Sequence, residues 1–285
     1  MLYEYIYQGK NMPSPLTKYQ RQPKQSIDLP SQGRYYPQGA LEKSSDLDVF
    51  SMTASDEIAT KTPDVLLNGN ATVGIIKNCI PAIRDPWQIP ITDIYTVLSA
   101  IRLASYGDNI STTNKCEKCG EDNSYEINIQ NMITHFSQSS FTDSIVVDKM
   151  KFHLRPLTFK ELNEINKQNF KHQRTLMQTI PGIENEDQRA EETQKVYNAL
   201  SELRKNTVVS SISKVEVDNE EETDINEIHK FLTNADKDFF KKVEDAIMKN
   251  NEQFSVPPTD IECANCGHKS KLNIELDYSN FFAQG

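Results

Sequence analysis

The chain has 285 residues and a formal net charge of −10 at pH 7, and 37% of its residues are hydrophobic. That length permits one large core or two modest ones, since domains commonly hold roughly 100 to 200 residues, and the acidic excess disfavours a general nucleic-acid-binding protein. No apolar run approaches the roughly 18 to 20 residues that span a bilayer, and the N-terminus lacks a signal-peptide pattern, so we expect a protein that is neither secreted nor membrane-anchored.

Residues 1–26 form the first predicted segment, which is basic although the whole chain is acidic. They contain Lys10, Lys18, Arg21 and Lys24 against the single acidic residue Glu4, which gives a local charge of +3 (four minus one). The segment is polar and contains few large aliphatic residues, so it cannot build a core of its own. We interpret it as a flexible basic N-terminal arm that a neighbouring protein subunit orders; the alternative is a solvated tail without a role.

The folded part is predicted to begin near residue 27, in the segment SIDLPSQGRYYPQGALE. Proline and glycine recur there every few residues, which favours an ordered arm with turns over a helix or a regular strand. The expected anchors are Tyr35, Tyr36 and Leu41. Farther on, Thr53 is the predicted N-cap of a helix, and the carboxylates of Asp56 and Glu57 in its first turn are expected to cap and solvate it rather than to catalyse.

Two apolar segments follow. VGIIKNCIPAI is short and limited by Pro81 and Pro86, so it is predicted to be a strand or one helical turn, with Cys79 as a small buried hydrophobe. ITDIYTVLSAIRLASYGD is predicted to be a core helix that ends at Gly107. Its apolar face comprises Ile91, Ile94, Leu98 and Ile101. Near its end we expect a solvated Arg102 and a packed Tyr106.

Two CxxC pairs give the strongest chemical signal. Their cysteines are Cys116, Cys119, Cys263 and Cys266. Two cysteines separated by two residues can direct both sulfurs to one point around a tight turn, which the following Gly120 or Gly267 relieves. Without a signal peptide, such pairs indicate a reducing compartment and metal binding rather than disulfides. Four thiolates predict a closed structural zinc site, because a catalytic zinc keeps one position for water or substrate. His268 is expected to lie on the surface.

The flanks of the two pairs match, which indicates one split domain. CEKCGEDNSYEINI and CANCGHKSKLNIEL share a knuckle, a glycine, a polar turn and then alternating apolar residues. The matched apolar residues are Ile127 and Ile129 in the first half and Ile274 and Leu276 in the second. We predict an α+β fold: a split two-knuckle, four-cysteine zinc ribbon with a largely helical insertion and the extended N-terminal arm. The 143 residues between Cys119 and Cys263 must leave the ribbon and return to it.

This interpretation divides the chain after the arm into three parts. Residues 27–135 are the N-terminal α/β part with the first knuckle, residues 136–258 the inserted hairpin and helical region, and residues 259–285 the second knuckle. In the insertion, DSIVVDKMKFHLRP predicts two strands around a turn at Asp148 and Lys149, with Phe152 and Leu154 facing inward.

Helices are predicted for most of the rest of the insertion. Thr158 and Glu161 form a capping box for the helix LTFKELNEINKQNF, in which Leu162, Ile165 and Phe170 lie roughly on one face. Helical spacing continues over 187–215. Residues 216–227 are strongly acidic and are predicted to be a solvated loop, with docking onto a basic partner as the alternative. Asn234 is the predicted cap of a last helix, ADKDFFKKVEDAIMKN.

No catalytic motif is present in the sequence. It contains no phosphate-cradling GxxxxGK[ST], no GxGxxG after a strand, no HExxH and no GxSxG. The five histidines show no paired spacing. We therefore predict that the protein is not an enzyme and has no catalytic or cofactor-binding residues apart from the zinc ligands.

Several segments occur in an order that resembles the T4-type bacteriophage baseplate protein family. They are IDLPSQGRYYP, MTASDEIATKTPDVLLNG, IIKNCI, IRLASYGD and the CEKCG knuckle. The resemblance covers roughly residues 24–135, and its most characteristic element is LPSxGxxY. That element is carried here by Leu29, Pro30, Ser31, Gly33 and Tyr36.

The resemblance implies a baseplate hub subunit or hub assembly protein, located in the virion tail baseplate and assembled in the host cytoplasm. It implies other baseplate and tail proteins as partners, with no nucleic acid and no membrane insertion. The first interpretation is a structural subunit retained in the finished baseplate; the first alternative is a hub assembly chaperone absent from the mature virion. A zinc-ribbon nucleic-acid-binding module is the second alternative, and it would require a basic, aromatic face on the ribbon.

Overall fold

The computed structural model describes Leu16 and residues 19–60 and 69–273. Helices and antiparallel strands are mixed along the chain, as predicted for an α+β fold. The helices are α1 (Ala54–Thr60), α2 (Asn70–Cys79), α3 (Ile91–Tyr106), α4 (Ile129–Gln138), α5 (Phe159–Arg174), α6 (Glu186–Ser210), α7 (Ile225–Asn234) and α8 (Lys237–Glu252). Within the described part of the chain, no helix combines the length and the apolar character needed to cross a membrane.

The strands form one four-stranded sheet and three two-stranded ones. They are β1 (Gln25–Ile27), β2 (Leu47–Val49), β3 (Asn109–Lys115), β4 (Asp122–Asn128), β5 (Ser144–Val147), β6 (Met150–Leu154), β7 (Ile212–Val217), β8 (Glu220–Glu222), β9 (Thr259–Glu262) and β10 (Lys269–Leu272). The larger sheet has the order β5-β6-β7-β8, and the small sheets pair β1 with β2, β3 with β4 and β9 with β10. All of these pairings are antiparallel.

Buried apolar side chains gather into two separate cores. The first core is built from α2, α3, α4 and the three small sheets, and its most buried members include Leu47, Ile76, Ile80, Ile89, Leu98 and Ile101. The second core lies between the four-stranded sheet and the last helices, and includes Phe152, Ile212, Ile228, Val243, Ile247 and Phe254. The buried members of the second core all lie in residues 141–254, whereas the first core draws on chain before and after them and, within that range, on Phe159.

Helices α5 and α6 form a projecting hairpin that belongs to the cores only at its two ends, through Phe159 in the first core and Val208 and Val209 in the second. They are joined by a π-helical turn (Thr175–Thr179) and a short 3-10 turn (Ile180–Gly182). All of residues 160–207 are described, and none of them is a member of either core. The hairpin buries only a few apolar side chains of its own, which are Ile180, Val196 and Leu203. Large apolar side chains therefore remain in solvent along it, namely Phe170, Met177 and Tyr197.

The segment after β1 ties the two cores together. Tyr36 packs against the first core, and its neighbour Tyr35 packs against the second. The Tyr35 ring meets Phe141 edge-on at 5.5 Å between centroids, and its hydroxyl donates to Asp143 Oδ1 at 2.5 Å. Gly33, which has a φ of +78°, turns the chain between these anchors and the preceding residues. Tyr35, Tyr36 and Leu41 are thus packed, as predicted.

A buried carboxylate holds the start of the same segment. Asp93, in the first turn of α3, is fully buried and accepts hydrogen bonds from the Ser31 amide at 2.8 Å and the Ser31 hydroxyl at 2.5 Å. Burial raises the pKa of Asp93, and the hydrogen bonds from Ser31 act in the opposite direction. Ser31 of the LPSxGxxY element is therefore fixed to the carboxylate in the first turn of α3.

Several local predictions are confirmed. Thr53 caps α1, with its hydroxyl and amide both bonded to Asp56. Helix α3 ends before Gly107, Tyr106 packs against the first core, and Cys79 is fully buried. The β5–β6 hairpin turns at 148–149 with Phe152 and Leu154 buried, and the Thr158–Glu161 capping box is present.

Other local predictions are wrong. Residues 70–79 form a ten-residue helix rather than a strand or a single turn. Arg102 is 2% exposed rather than solvated, and its guanidinium lies over the Tyr106 ring at 5.3 Å. The last helix is capped by Asp236 instead of Asn234, which ends α7. The acidic stretch 216–227 is not a loop, because it completes β7, forms β8 and starts α7.

The N-terminal arm is described only in part. Residues 1–15, 17 and 18 lie outside the described residues. Arg21, near the end of the predicted arm, donates hydrogen bonds to the carbonyls of Ser51 and Asn78 and lies over the Phe50 ring at 5.4 Å. β1 begins at Gln25.

Replacing Tyr35 with alanine should loosen the second core while leaving the first intact. The change removes the Phe141 contact and the Asp143 hydrogen bond, and losses of this kind cost about 0.5 to 3 kcal/mol. Hydrogen–deuterium exchange should accelerate in β5, β6 and the end of α8. Tyr197→Ala, at a position that is 57% exposed, is the control and should leave exchange in both cores unchanged. Equal acceleration in both cores would contradict the proposed link.

Asp93→Asn should gain stability relative to the wild type as the pH rises. Because the folded-state pKa of Asp93 is raised above the unfolded value of about 3.9, ionisation favours the unfolded chain, and stability is lost as the pH rises through the interval between them. Urea unfolding of both proteins at several pH values above about 4 measures the difference. Asp48→Asn, on an exposed position of β2, should show no such trend. A pH-independent difference for Asp93→Asn would contradict this account.

Candidate metal centre

Each cysteine pair lies in the turn of a β-hairpin. The first turn, 116–121, connects β3 to β4, and the second, 263–268, connects β9 to β10. Both hairpins pack on the first core through one buried residue on each strand. These residues are Ile110 and Ile127 in the first hairpin and Ile261 and Leu272 in the second. Between these two hairpins the chain leaves the first core after α4, returns to it briefly at Phe159 and joins it again at β9.

The two turns share a backbone hydrogen-bond pattern. In the first, the Gly120 amide donates to the Cys116 carbonyl at 2.8 Å; in the second, the Gly267 amide donates to the Cys263 carbonyl at 2.9 Å. Each leading cysteine closes its turn by donating its own amide to the carbonyl five residues later, at 2.8 and 2.9 Å. Gly120 and Gly267 have φ values of +75° and +65°, which are costly for residues with a side chain. The glycines therefore serve the turn as predicted.

The turns bring all four sulfur atoms together. Every sulfur lies within 4.8 Å of the others. The Sγ atoms of Cys116 and Cys266 are 3.7 Å apart, and those of Cys119 and Cys263 are 3.6 Å apart. A cation bound tetrahedrally by thiolates at about 2.3 Å requires sulfur–sulfur distances of roughly 3.8 Å. The cluster therefore has the size of a tetrahedral metal site.

Backbone amides stabilise negative charge at the leading cysteine of each pair. The Cys266 amide lowers the pKa of Cys263 to about 6, and the Cys119 amide lowers the pKa of Cys116. Four adjacent thiolates would repel one another, and Cys266 shows the effect. Although the His268 amide lowers it, burial and hydrogen bonds to the other three thiols raise the pKa of Cys266 to about 12. A bound cation would replace the retained protons and remove the repulsion.

Other potential ligands stay outside the cluster. Among the described His, Cys, Asp and Glu residues, the group of ligand atoms contains only the four cysteines. His268 is half-buried and takes part through its carbonyl, which closes the second turn. Cys79 lies in the first core, where burial raises its pKa to about 11. The structure therefore separates the fifth cysteine from the four that cluster.

One predicted match between the hairpins is not observed in the described residues. Ile127 faces the first core from β4, but Ile129 is the first residue of α4 rather than part of a strand. Their expected counterparts, Ile274 and Leu276, lie outside the described residues. Leu272 supplies the buried contact in the second hairpin instead.

Sequence reasoning missed Asn123, the second residue of β4. Its side chain is 7% exposed and contacts Cys263 from the opposite hairpin. An asparagine in a polar strand carries no distinctive spacing, so the sequence offers no signal for this contact.

Comparison with known proteins is decisive at the level of the family. The family described as T4 bacteriophage base plate protein matches residues 47–283. The chain belongs to this family. The match includes both hairpins and all of the chain between them, so it extends well beyond residues 24–135, which carry the sequence resemblance. The LPSxGxxY element precedes the matched region. No curated protein and no solved structure matches the chain.

Membership of the baseplate family indicates the kind of assembly in which the cysteine cluster is found. A baseplate protein belongs to the virion tail and associates with other tail and baseplate proteins. Its work is structural, and the four cysteines suit that work because they join two distant parts of the chain. The baseplate family match and the cysteine cluster thus agree on a structural role.

Replacing Cys263 with serine should abolish metal binding and cause aggregation. The remaining three thiolates would hold a cation weakly, and the two ends of the insertion would separate. We expect the melting temperature to fall by roughly 10 °C or more, since each kcal/mol shifts it by about 2 to 4 °C in a chain of this size. Metal analysis of the purified protein and differential scanning calorimetry measure both effects.

Cys79→Ala is the matched control for the cysteine substitution. It removes a buried cysteine that lies outside the cluster, so metal content should stay at the wild-type value even if some stability is lost. Wild-type solubility of Cys263→Ser with no bound metal would show that the cluster does not hold the chain together.

Proposed function

We propose that this protein is a non-enzymatic structural subunit of a contractile-tailed phage baseplate, in the hub or its surroundings, with a structural zinc ion. The observation that carries the proposal is the four-sulfur cluster, which joins residues on either side of a 143-residue segment in a chain of the baseplate family. The proposed ligands are Cys116, Cys119, Cys263 and Cys266.

Zinc suits this ligand set better than other common metals. Four thiolates in a tetrahedron of this size are typical of structural zinc, whereas calcium and magnesium require oxygen ligands. The four sulfurs fill the coordination sphere, so no position remains for water or substrate. Zinc here would supply cross-linking energy and no chemistry.

The zinc ion would define the organisation of the chain. Residues 27–135 would carry the first knuckle, residues 136–258 would form the insertion, and residues 259–285 would complete the split ribbon. The buried members of the second core all lie inside the proposed insertion, and the second hairpin packs on the first core. Both facts support a domain inserted at the metal site. The basic arm of residues 1–26 would contact a neighbouring subunit.

Surface features support protein partners over nucleic acid. The projecting α5–α6 hairpin leaves Phe170 at 52%, Met177 at 76% and Tyr197 at 57% exposure, so these large apolar side chains are accessible to a protein partner. The first knuckle carries the acidic residues Glu117, Glu121 and Asp122. A nucleic-acid-binding ribbon would instead present a basic, aromatic face.

Mass spectrometry of purified phage tails and of tail-assembly intermediates tests the proposed function. A subunit of the finished baseplate should be present in both, at a fixed ratio to other baseplate proteins. An assembly chaperone would be present in the intermediates alone. Absence from both preparations would overturn the baseplate role altogether.

Metal analysis of the purified protein tests the zinc assignment separately. We expect zinc at one ion per chain, retained through dialysis without added metal and lost when a chelator is added with denaturant. The major tail-tube protein purified in the same buffers is the control for adventitious zinc. A different bound metal, or none, would contradict the assignment without affecting the tail result.

A further inference from the structure

Asn123 is a buried polar residue placed between the two cysteine turns. It lies in β4 opposite Asn114 of β3, directly behind the first turn. Its side chain is 7% exposed, although asparagine side chains usually remain in solvent. A buried amide is costly unless its donors and acceptor are all bonded. The hydrogen-bond partners of Asn123 therefore indicate its role.

Three contacts use the whole amide group. Nδ2 donates to the Cys263 sulfur at 3.4 Å and to the Glu121 carbonyl at 3.0 Å. Oδ1 accepts a hydrogen bond from the Ala264 amide at 2.9 Å. One partner belongs to the first turn and two belong to the second. A single side chain thus holds both turns in register.

The contact makes the two halves of the cluster unequal. The hairpins correspond at a spacing of 147 residues, as Cys116 and Cys263 show, so the position matching Asn123 is Ser270. Ser270 has no hydrogen bond to a sulfur among the described contacts. The second turn makes one contact in the other direction, in which the exposed Asn265 Nδ2 donates to the Cys119 sulfur at 3.8 Å, but the buried cross-link is the one supplied by Asn123.

We propose that Asn123 is a positioning residue of the metal centre, which docks the second cysteine turn against the first and donates a hydrogen bond to the Cys263 thiolate. The inference rests on the proposed zinc site. The Oδ1–Ala264 bond fixes where the second turn sits, and the Nδ2–sulfur bond orients Cys263 toward the other three sulfurs. A thiolate that accepts such a bond is better stabilised as a ligand.

Asn123→Asp is the sharpest test, because the two side chains have nearly the same shape. A carboxylate keeps the acceptor for Ala264 but loses both donors, and it places negative charge beside the thiolates. Loss of contacts that support metal ligands typically reduces metal affinity by about 10 to 100-fold. We expect zinc release to a chromogenic chelator to accelerate by a factor in this range. In the cobalt-substituted protein, the sulfur-to-cobalt charge-transfer band should shift.

Asn109→Asp provides the matched control. Asn109 lies in the same hairpin at the end far from the cysteines, is exposed, and bonds to Glu126 at 3.2 Å. The control introduces the same charge, yet zinc release and the cobalt spectrum should match the wild type. If Asn123→Asp does not fold, Asn123→Ser replaces it, since serine adds no charge but is too short to span both turns. Faster zinc release is then the expected result.

The outcomes separate the two proposals. Zinc release and a cobalt spectrum within twofold of the wild type for the Asn123 variant would overturn the role of Asn123 and leave the zinc site standing. A wild-type protein that binds no zinc would overturn both. Equal effects of Asn123→Asp and Asn109→Asp would reduce the result to general electrostatics and would also overturn the positioning role.

Discussion

The meeting of two β-hairpins at four sulfur atoms is the constraint on which the rest of this structure depends. The hairpins are separated by 143 residues between Cys119 and Cys263, yet both bury apolar side chains in the first core. Closing so long a segment is entropically costly. In the chain-entropy treatment, a covalent cross-link across roughly 100 residues removes about 4.7 kcal/mol of unfolded-state freedom. A metal bound by both turns would likewise restrict the unfolded chain. The segment between the turns, which contains the second core, would then fold with both of its ends held in place.

A second tie works at some distance from the cysteines. Ser31 is bonded to the buried Asp93 and Tyr36 packs on the first core, whereas Tyr35 reaches Phe141 and Asp143 beside the second. The exposed ion pair of Arg34 with Asp143 adds little on its own, because both partners remain solvated. The aromatic packing is therefore the stronger part of this link. The tyrosine pair thus connects the two cores, whereas the cysteine turns join two hairpins that both pack on the first core.

The sequence predicted best those features that depend on short-range chemistry. The CxxC turns with their glycines, the Thr158–Glu161 capping box and the two-residue turn after Val147 each depend on a few neighbouring residues.

The wrong or missing predictions concern residues whose surroundings depend on contacts distant in the sequence. Arg102 is buried because α3 is enclosed on nearly every side, and a single-sequence pattern cannot show this. Asn234 and Asp236 are both favourable N-cap residues. Asn234 is the last residue of α7, so Asp236 caps α8. Asn123 acquired its partners only when the second hairpin returned.

The orientation of the projecting α5–α6 hairpin depends on how the two cores are arranged. Residues 160–207 belong to neither core, and the hairpin is held by the segments at its base and by α6, which packs on α7 and pairs Arg204 with Glu244 of α8. One end of the base is fixed at the first core, where the Phe159 amide bonds to the Ile89 carbonyl and the Phe159 ring stacks on Trp87. The other end enters the second core at Val208. The direction of the hairpin is therefore set by how the two cores sit against each other. The packing of Tyr35 on Phe141, which links the two cores, therefore also contributes to fixing the direction of the hairpin.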